Sequence, residues 1–268
     1  MSATALIAGA GGLPAALVTA LSERPLIAAL DGWSPEGLSP DVTFRIERLV
    51  PFLDGLTDRG VSRVVFAGAV QRPRLDPALF DPATAQMVPR LLAAMGQGDD
   101  ATLREVIGIF EDCGLAVVGV EDVAPALVPG EGVLCGAPSD ADRRDAARAS
   151  VIVQALGRVD VGQGAVVQQG LCLAVEALPG TDAMLAGVAA LPPGLRPDAA
   201  RGRGLFYKAP KPSQDRRIDL PTIGPETVAR VAAAGLGGIV WQAGGVICLN
   251  PPAMIAAARD AGLFLWAR

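Results

Sequence analysis

Three features of the 268-residue sequence predict an α/β protein of two domains. The chain opens on a short apolar run, a glycine turn and a helical pattern. Short apolar runs then alternate with amphipathic segments, and a proline- and glycine-rich stretch interrupts that alternation. The boundaries expected are 1–125 for an N-terminal Rossmann-like domain with a parallel sheet, 126–142 for a linker, and 143–268 for a C-terminal α+β domain with a mixed sheet.

In the first half, Thr4–Ala8 reads as a strand, Gly9–Pro14 as the turn and Ala15–Leu21 as the following helix. Leu26–Leu30 and Val61–Ala67 are two further strands. Ala83–Met95 is a helix, and so is Asp100–Cys113, whose Leu103, Val106, Ile107 and Phe110 share one face. Leu115–Val120 returns as a strand. The segment PALVPGEGVLCGAPSDAD supplies the linker. Beyond it, Arg143–Leu156 is helical, Gly164–Gln168 and Leu171–Val175 are paired strands, Thr181–Ala190 is a helix and Leu205–Lys208 a strand. A helix starts at Pro225, a residue suited to a first turn. Gly238–Trp241 and Val246–Leu249 are expected to form a last strand pair before a helix over Pro252–Ala261.

Composition removes several function classes. The chain is 51% hydrophobic, but no apolar run reaches the roughly 20 residues that span a bilayer. Its N-terminus lacks the basic start of a signal peptide, so a cytoplasmic location is expected. A net charge of −5 argues against a nucleic-acid partner. The four cysteines are widely spaced without a CxxC pair, which indicates neither a zinc site nor a disulfide framework. Histidine is absent altogether, which excludes Ser-His-Asp and Cys-His catalysis and histidine-ligated di-metal chemistry. Acids, bases and ligands must come from Asp, Glu, Lys, Arg, Tyr or Cys.

Candidate site residues lie at turns and strand ends. Gly11, Gly12 and Leu13 follow the first strand and can present backbone N–H groups to an anion, although a tight βα turn explains the glycines equally well. The pattern is not a dinucleotide fingerprint, because Pro14 stands where GxGxxG needs its last glycine. In FAGAVQRP, Gly68 permits close backbone approach and Arg72 offers a fork for phosphate. Asp100, in QGDDAT, has helix capping as its ordinary role. Gln163 lies in a glycine turn, Glu176 closes a strand, and Thr181 and Asp182 open a helix, where a carboxylate is favoured by the dipole. From residue 201 to 219 stand Arg201, Arg203, Lys208, Lys211, Arg216 and Arg217 against only Asp215 and Asp219, a net +4 inside an acidic chain. Such cations suit a diphosphate. Asp219 among them is placed to hold Mg2+ or to orient water toward phosphorus. The prolines on either side reduce the entropy lost when the loop orders. A salt-bridged surface loop is the competing explanation.

Taken in order, LIAGAGGLP, FAGAVQRP, GDDATLR, DVGQGAVV, AVEALPGTDAML and KAPKPSQDRRIDLPTIGP resemble the LpxI family over nearly the whole chain. The resemblance implies two α/β-type domains and hydrolysis of UDP-2,3-diacylglucosamine to UMP and 2,3-diacylglucosamine 1-phosphate (lipid X) in lipid A biosynthesis. It also implies a divalent cation, usually Mg2+, with water attacking the sugar-side phosphorus. The family's catalytic aspartate falls on Asp219. The site implied comprises Asp219, Lys208, Lys211, Gln214 and Arg217 for catalysis, with Asp219 and Asp215 for the metal. Gly11, Gly12, Leu13, Gly68, Arg72, Asp100, Gln163, Glu176, Thr181, Asp182 and Thr222 are implied for substrate binding. The C-terminal domain is then the catalytic one, an apolar chamber holds the acyl chains, the protein meets the inner leaflet transiently, and there is room for a homodimer. The rival expectations are a dinucleotide-binding protein stabilised by NAD(P), or a binding module that leaves the lipid sugar nucleotide intact.

Overall fold

The structure, a computed structural model, describes residues 3–70, 74–97 and 99–268, with the side chains of residues 99, 100 and 193 left out. The chain forms two compact units. The first is Met1–Pro125 together with Asp215–Asp219; the second is Ala126–Gln214 with Leu220–Arg268.

The first unit is built on five parallel strands, β1 (Ala3–Ala8), β2 (Leu26–Leu30), β3 (Val42–Phe44), β4 (Val61–Ala67) and β5 (Ala116–Val118), in the order β3-β2-β1-β4-β5. A parallel sheet covered on both faces demands continuous apolar strands. The central strand meets that demand, with Ala5, Leu6, Ile7 and Ala8 all buried. Helices α1 (Leu13–Ala20), α2 (Leu49–Asp58), α3 (Pro82–Met95), α4 (Asp99–Asp112) and the short α5 (Val120–Val123) complete the unit. Its core gathers Phe52, Leu53 and Leu56 of α2, Ile107 and Phe110 of α4, and Val64 of β4. The expected strand Leu115–Val120 is shorter, because the Gly119 N–H donates to the Asp122 carboxylate at 2.8 Å and turns the chain into α5.

The second unit carries a six-stranded mixed sheet in the order β6-β13-β11-β9-β7-β8. Its strands are β6 (Gly132–Cys135), β7 (Gly164–Gln168), β8 (Leu171–Val175), β9 (Leu205–Lys208), β11 (Gly238–Trp241) and β13 (Phe264–Ala267). Strands β9, β11 and β13 are mutually parallel, while β6, and β7 against β8 and β9, pair antiparallel. Helix α6 (Asp140–Arg158) starts on a capping box in which Ser139 Oγ accepts from the Asp142 N–H and the Asp142 carboxylate accepts from the Ser139 N–H. Helices α7 (Gly180–Ala189), α8 (Pro225–Ala233) and α9 (Pro251–Asp260) contribute to the larger core around Phe206, Ile239 and Trp241. No helix among the described residues is long and apolar enough to cross a membrane.

Two expectations are corrected here. The stretch 126–142 is no linker: it belongs to the second unit, supplies β6 to the sheet edge and begins α6. Strand Gly238–Trp241 does not pair with the next apolar run. Both its edges are taken by β9 and β13, so β12 (Ile247–Cys248) pairs instead with β10 (Thr222–Ile223) in a small parallel sheet.

Candidate functional site

In an open parallel sheet the ligand crevice lies beyond the strand C-termini where the strand order reverses, here between β1 and β4. The loops leaving these strands are laced together. Gly9 N–H donates to Ala67 O at 2.8 Å, Ala10 N–H to Ala69 O at 2.8 Å, and Ala69 N–H to Ala10 O at 3.0 Å. A Cβ on Gly9 would sit 2.6 Å from Ala69 O, and one on Gly68, at φ +92°, 2.6 Å from Ala10 O. The nearest neighbour of Gly68 is therefore the β1 loop. Gly11, at φ +91°, faces open space. Gly12 precedes Leu13, the first residue of α1, and brings no side-chain cap to that helix end. Gly9→Ala is therefore expected to destabilise the protein by about 1–3 kcal/mol through overpacking, and Gly11→Ala by less, through backbone strain alone. Equal unfolding midpoints for the two variants would refute this assignment of roles.

Beyond this lacing lies an apolar cavity of about 390 Å3, within the first unit throughout. Ile7, Leu30 and Phe66 from the strands and Leu103, Val106 and Phe110 from α4 are among its walls. Among the described residues, Asp219 is the one charged residue lining it.

Asp219 is brought there by the five-residue segment Asp215–Asp219, whose flanks on both sides belong to the second unit. Three contacts among the described residues anchor the segment. Ile218 packs against the first unit's core. The Arg217 guanidinium donates to Glu111 of α4 at 2.8 Å and grips both oxygens of Asp215, through Nε at 3.0 Å and Nη2 at 2.7 Å. The Ile218 and Asp219 N–H groups donate to Asp215 O at 3.2 and 3.1 Å, closing a turn. The opposite charges of the motif thus serve partly to dock this strap. Arg217 holds the Asp215 carboxyl below its ordinary range, and Asp215 in turn raises Arg217. With the folded-state pKa of Asp215 depressed, its contribution to stability is full above the ordinary carboxylate value and is lost as pH falls through the lowered one. Asp215→Asn is thus expected to be less stable than wild type at pH 7, with the gap closing in acid; a gap unchanged at pH 3 would contradict it.

In the second unit, Lys208 and Glu176 are both buried, 5% and 7% exposed, and form an ion pair. Lys208 Nζ lies 3.3 Å from Glu176 Oε2 and also donates to Thr181 Oγ1 at the start of α7. Burial pushes the Lys208 ammonium below its ordinary pKa, against the opposing pull of Glu176 and the charge of Asp182. Asp182 itself meets Arg230 at 3.0 Å. A Cβ on Gly164 would approach Glu176 Oε2 to 2.5 Å, so the Glu176 carboxylate would have to shift. Gln163, just before β7, accepts the Ala209 N–H on its backbone oxygen, and its buried side-chain Oε1 has no partner among the described residues. Lys211 reaches Asp160 at 2.6 Å, and its N–H donates to Gln214 Oε1 at 2.8 Å. Thr222 lies in β10.

The candidate residues therefore fall into sets within each unit. Gly11, Gly12, Leu13, Gly68, Asp215, Arg217 and Asp219 belong to the first. Gln163, Glu176, Thr181, Asp182, Lys208, Lys211, Gln214 and Thr222 belong to the second. Arg72 lies outside the described residues, and Asp100 opens α4 with its side chain undescribed. Arg201 and Arg203 precede β9 and stand apart from Lys208, which ends it. Sequence reasoning missed the partners Glu111 and Asp160, which carry no local signal. It read Leu103, Val106 and Phe110 as a core face, whereas they also line the cavity.

Among the described residues no three Cys, Asp or Glu side chains gather as a metal cage. Asp215 has both oxygens engaged by Arg217. Mg2+ is commonly held by one or two carboxylates together with substrate phosphate oxygens, and Asp219 can supply one such carboxylate.

Comparison with known proteins bears on both units. Residues 3–127 match the LpxI N-terminal domain and residues 130–266 the LpxI C-terminal domain. A relative from Caulobacter vibrioides, a UDP-2,3-diacylglucosamine pyrophosphatase LpxI, is 40% identical over 266 residues, covering 97% of this chain and 95% of the relative.

Proposed function

The chain belongs to the LpxI family, and from that premise we propose that it hydrolyses the diphosphate of UDP-2,3-diacylglucosamine to UMP and 2,3-diacylglucosamine 1-phosphate in lipid A biosynthesis. The observation that carries this reading is the apolar cavity with Asp219 in its wall, its one charged lining residue among those described. Acyl chains fill such a cavity by burying apolar surface. A carboxylate at its edge stands where the apolar and reacting parts of an amphiphilic substrate would meet.

The water oxygen bonds to the sugar-side phosphorus and the bond from that phosphorus to the bridging oxygen breaks, so UMP leaves with the bridging oxygen. Asp219 orients the water and draws its proton. Asp219 would supply the protein carboxylate for a bound Mg2+, which would contribute charge neutralisation at the phosphates. Lys208, Lys211, Gln214 and Arg217 stand as the residues that stabilise diphosphate charge. Arg217 acts chiefly as a positioning residue, since its guanidinium is already shared between Asp215 and Glu111. Gly11, Gly12, Leu13 and Gly68, with Arg72 and Asp100, are assigned to substrate in the first unit, and Gln163, Glu176, Thr181, Asp182 and Thr222 in the second. Transient contact with the inner leaflet follows from a lipid substrate.

The test compares UMP release from UDP-2,3-diacylglucosamine with release from the same sugar nucleotide lacking acyl chains. The diacylated compound is expected to turn over far faster. Equal rates would separate the cavity from the reaction and overturn this reading.

A further inference from the structure

Arg201, Arg203 and Arg216 of the cationic stretch have been given no task. Arg201 and Arg203 lie before β9, at the end of the parallel strands opposite to Lys208. There an open groove of about 890 Å3 lies within the second unit, lined by Arg201, Arg203 and Arg259 together with Val133, Ser139 and Phe264. The loop that presents the first two arginines is tightly held. Gln168, fully buried, donates through Nε2 to Pro197 O at 3.1 Å and Gly202 O at 2.9 Å. Gln169 Nε2 donates to Asp198 O at 2.6 Å and Gly202 O at 3.1 Å. Asp198 accepts the Ala200 N–H at 3.0 Å, and Arg203 Nη2 reaches Gly262 O at 2.5 Å.

Surface arginines ordinarily sit near carboxylates. Among the described residues none forms an ion pair with Arg201, Arg203 or Arg259. Asp142, the one acid among the described residues lining the groove, is occupied in capping, with its Oδ2 accepting from Ser139 N at 2.9 Å and Oγ at 2.6 Å. Three guanidinium groups around one concavity repel one another, and a buried glutamine clamp is an elaborate way to hold two of them there. An anion between them resolves both facts, since the guanidinium fork matches phosphate oxygens.

We propose that this groove binds a phosphate ester, at a site distinct from the candidate diphosphatase residues and independent of their assignment. Val133 and Phe264 offer apolar contact to the remainder of such a ligand. The source of the phosphate is either a soluble phosphate compound or the headgroup of an anionic lipid.

Inorganic pyrophosphate titrated into isotope-labelled full-length protein, followed by amide NMR, tests this. Saturable shifts are expected at Gly202, Arg203 and Gly262, separate from any at Lys208–Asp219. Arg201→Glu/Arg203→Glu is expected to weaken them at least about tenfold, as loss of charged hydrogen bonds requires, while UMP release is retained. Arg259→Gln, a milder change, should weaken them in the same direction. A parallel arm uses phosphatidylglycerol vesicles against phosphatidylcholine vesicles. Selective broadening of the same amides by the anionic vesicles identifies a lipid headgroup, and response to pyrophosphate alone identifies a soluble ester. If neither probe perturbs these amides, or the charge-reversed variant responds like wild type, the groove is no phosphate site.

Discussion

Asp219→Asn is expected to fold, to bind UDP-2,3-diacylglucosamine nearly as wild type does, and to lose turnover by about 10²–10⁴-fold, the range of a positioned general base. The expectation rests on what holds the segment. Ile218 in the core, Arg217 on Glu111 and Asp215, and the two N–H groups on Asp215 O remain when the Asp219 carboxylate is replaced. Replacing one oxygen by an amide nitrogen keeps the shape at the cavity wall and removes the charge. Asp219→Ala should behave alike, with slightly more room in the cavity. Binding measured by calorimetry and turnover measured by UMP release must separate. Near-wild-type turnover would remove Asp219 from the chemistry, and unfolding of both variants would make it structural.

The second large effect concerns Lys208. Lys208→Met leaves Glu176 as a buried carboxylate without its cation, and is expected to destabilise the protein by about 3–5 kcal/mol. The double variant Glu176→Leu/Lys208→Met should regain most of that stability, because the cost comes from the orphaned charge rather than from lost attraction. It should not regain activity if Lys208 stabilises diphosphate charge. The pair also sets a pH dependence. Burial lowers the folded-state pKa of Lys208 from 10.5, so between that lowered value and 10.5 the unfolded chain binds more protons than the native one. The contribution of this group to stability therefore rises with pH across that window. Relative to the double variant, wild type should gain stability toward alkaline pH. Additive single and double effects, with no pH dependence, would mean that the two side chains are not coupled.

Much of the architecture was legible because strands buried on both faces leave a plain record. Ala5–Ala8, Ile27–Leu30 and Val61–Ala67 are largely apolar runs closed by turn residues, and the sheet has the parallel arrangement they suggest. Short edge strands leave no such record. Val42–Phe44 is three residues long, and Gly132–Cys135 is mostly exposed within a proline- and glycine-rich stretch, so one was missed and the other was taken for a linker. The pairing of Ile247–Cys248 with Thr222–Ile223 depends on which strand edges remain open, a property of the whole sheet. For the site, the family motif drew attention to Asp219, but nothing local marks the five residues Asp215–Asp219 as part of the first unit. That follows from Ile218 meeting an apolar core and Arg217 meeting Glu111, a partner 106 positions away. The cationic stretch read as one cluster because adjacency in sequence hides the length of a strand. Arg203 and Lys208 flank β9 at its two ends.

The most direct measurement incubates the purified protein with UDP-2,3-diacylglucosamine and Mg2+ and follows UMP by chromatography. Release of UMP and 2,3-diacylglucosamine 1-phosphate in equal amounts, stopped by a chelator and restored by added Mg2+, is the predicted result. Substrate recovered intact from a protein that binds it would contradict the account.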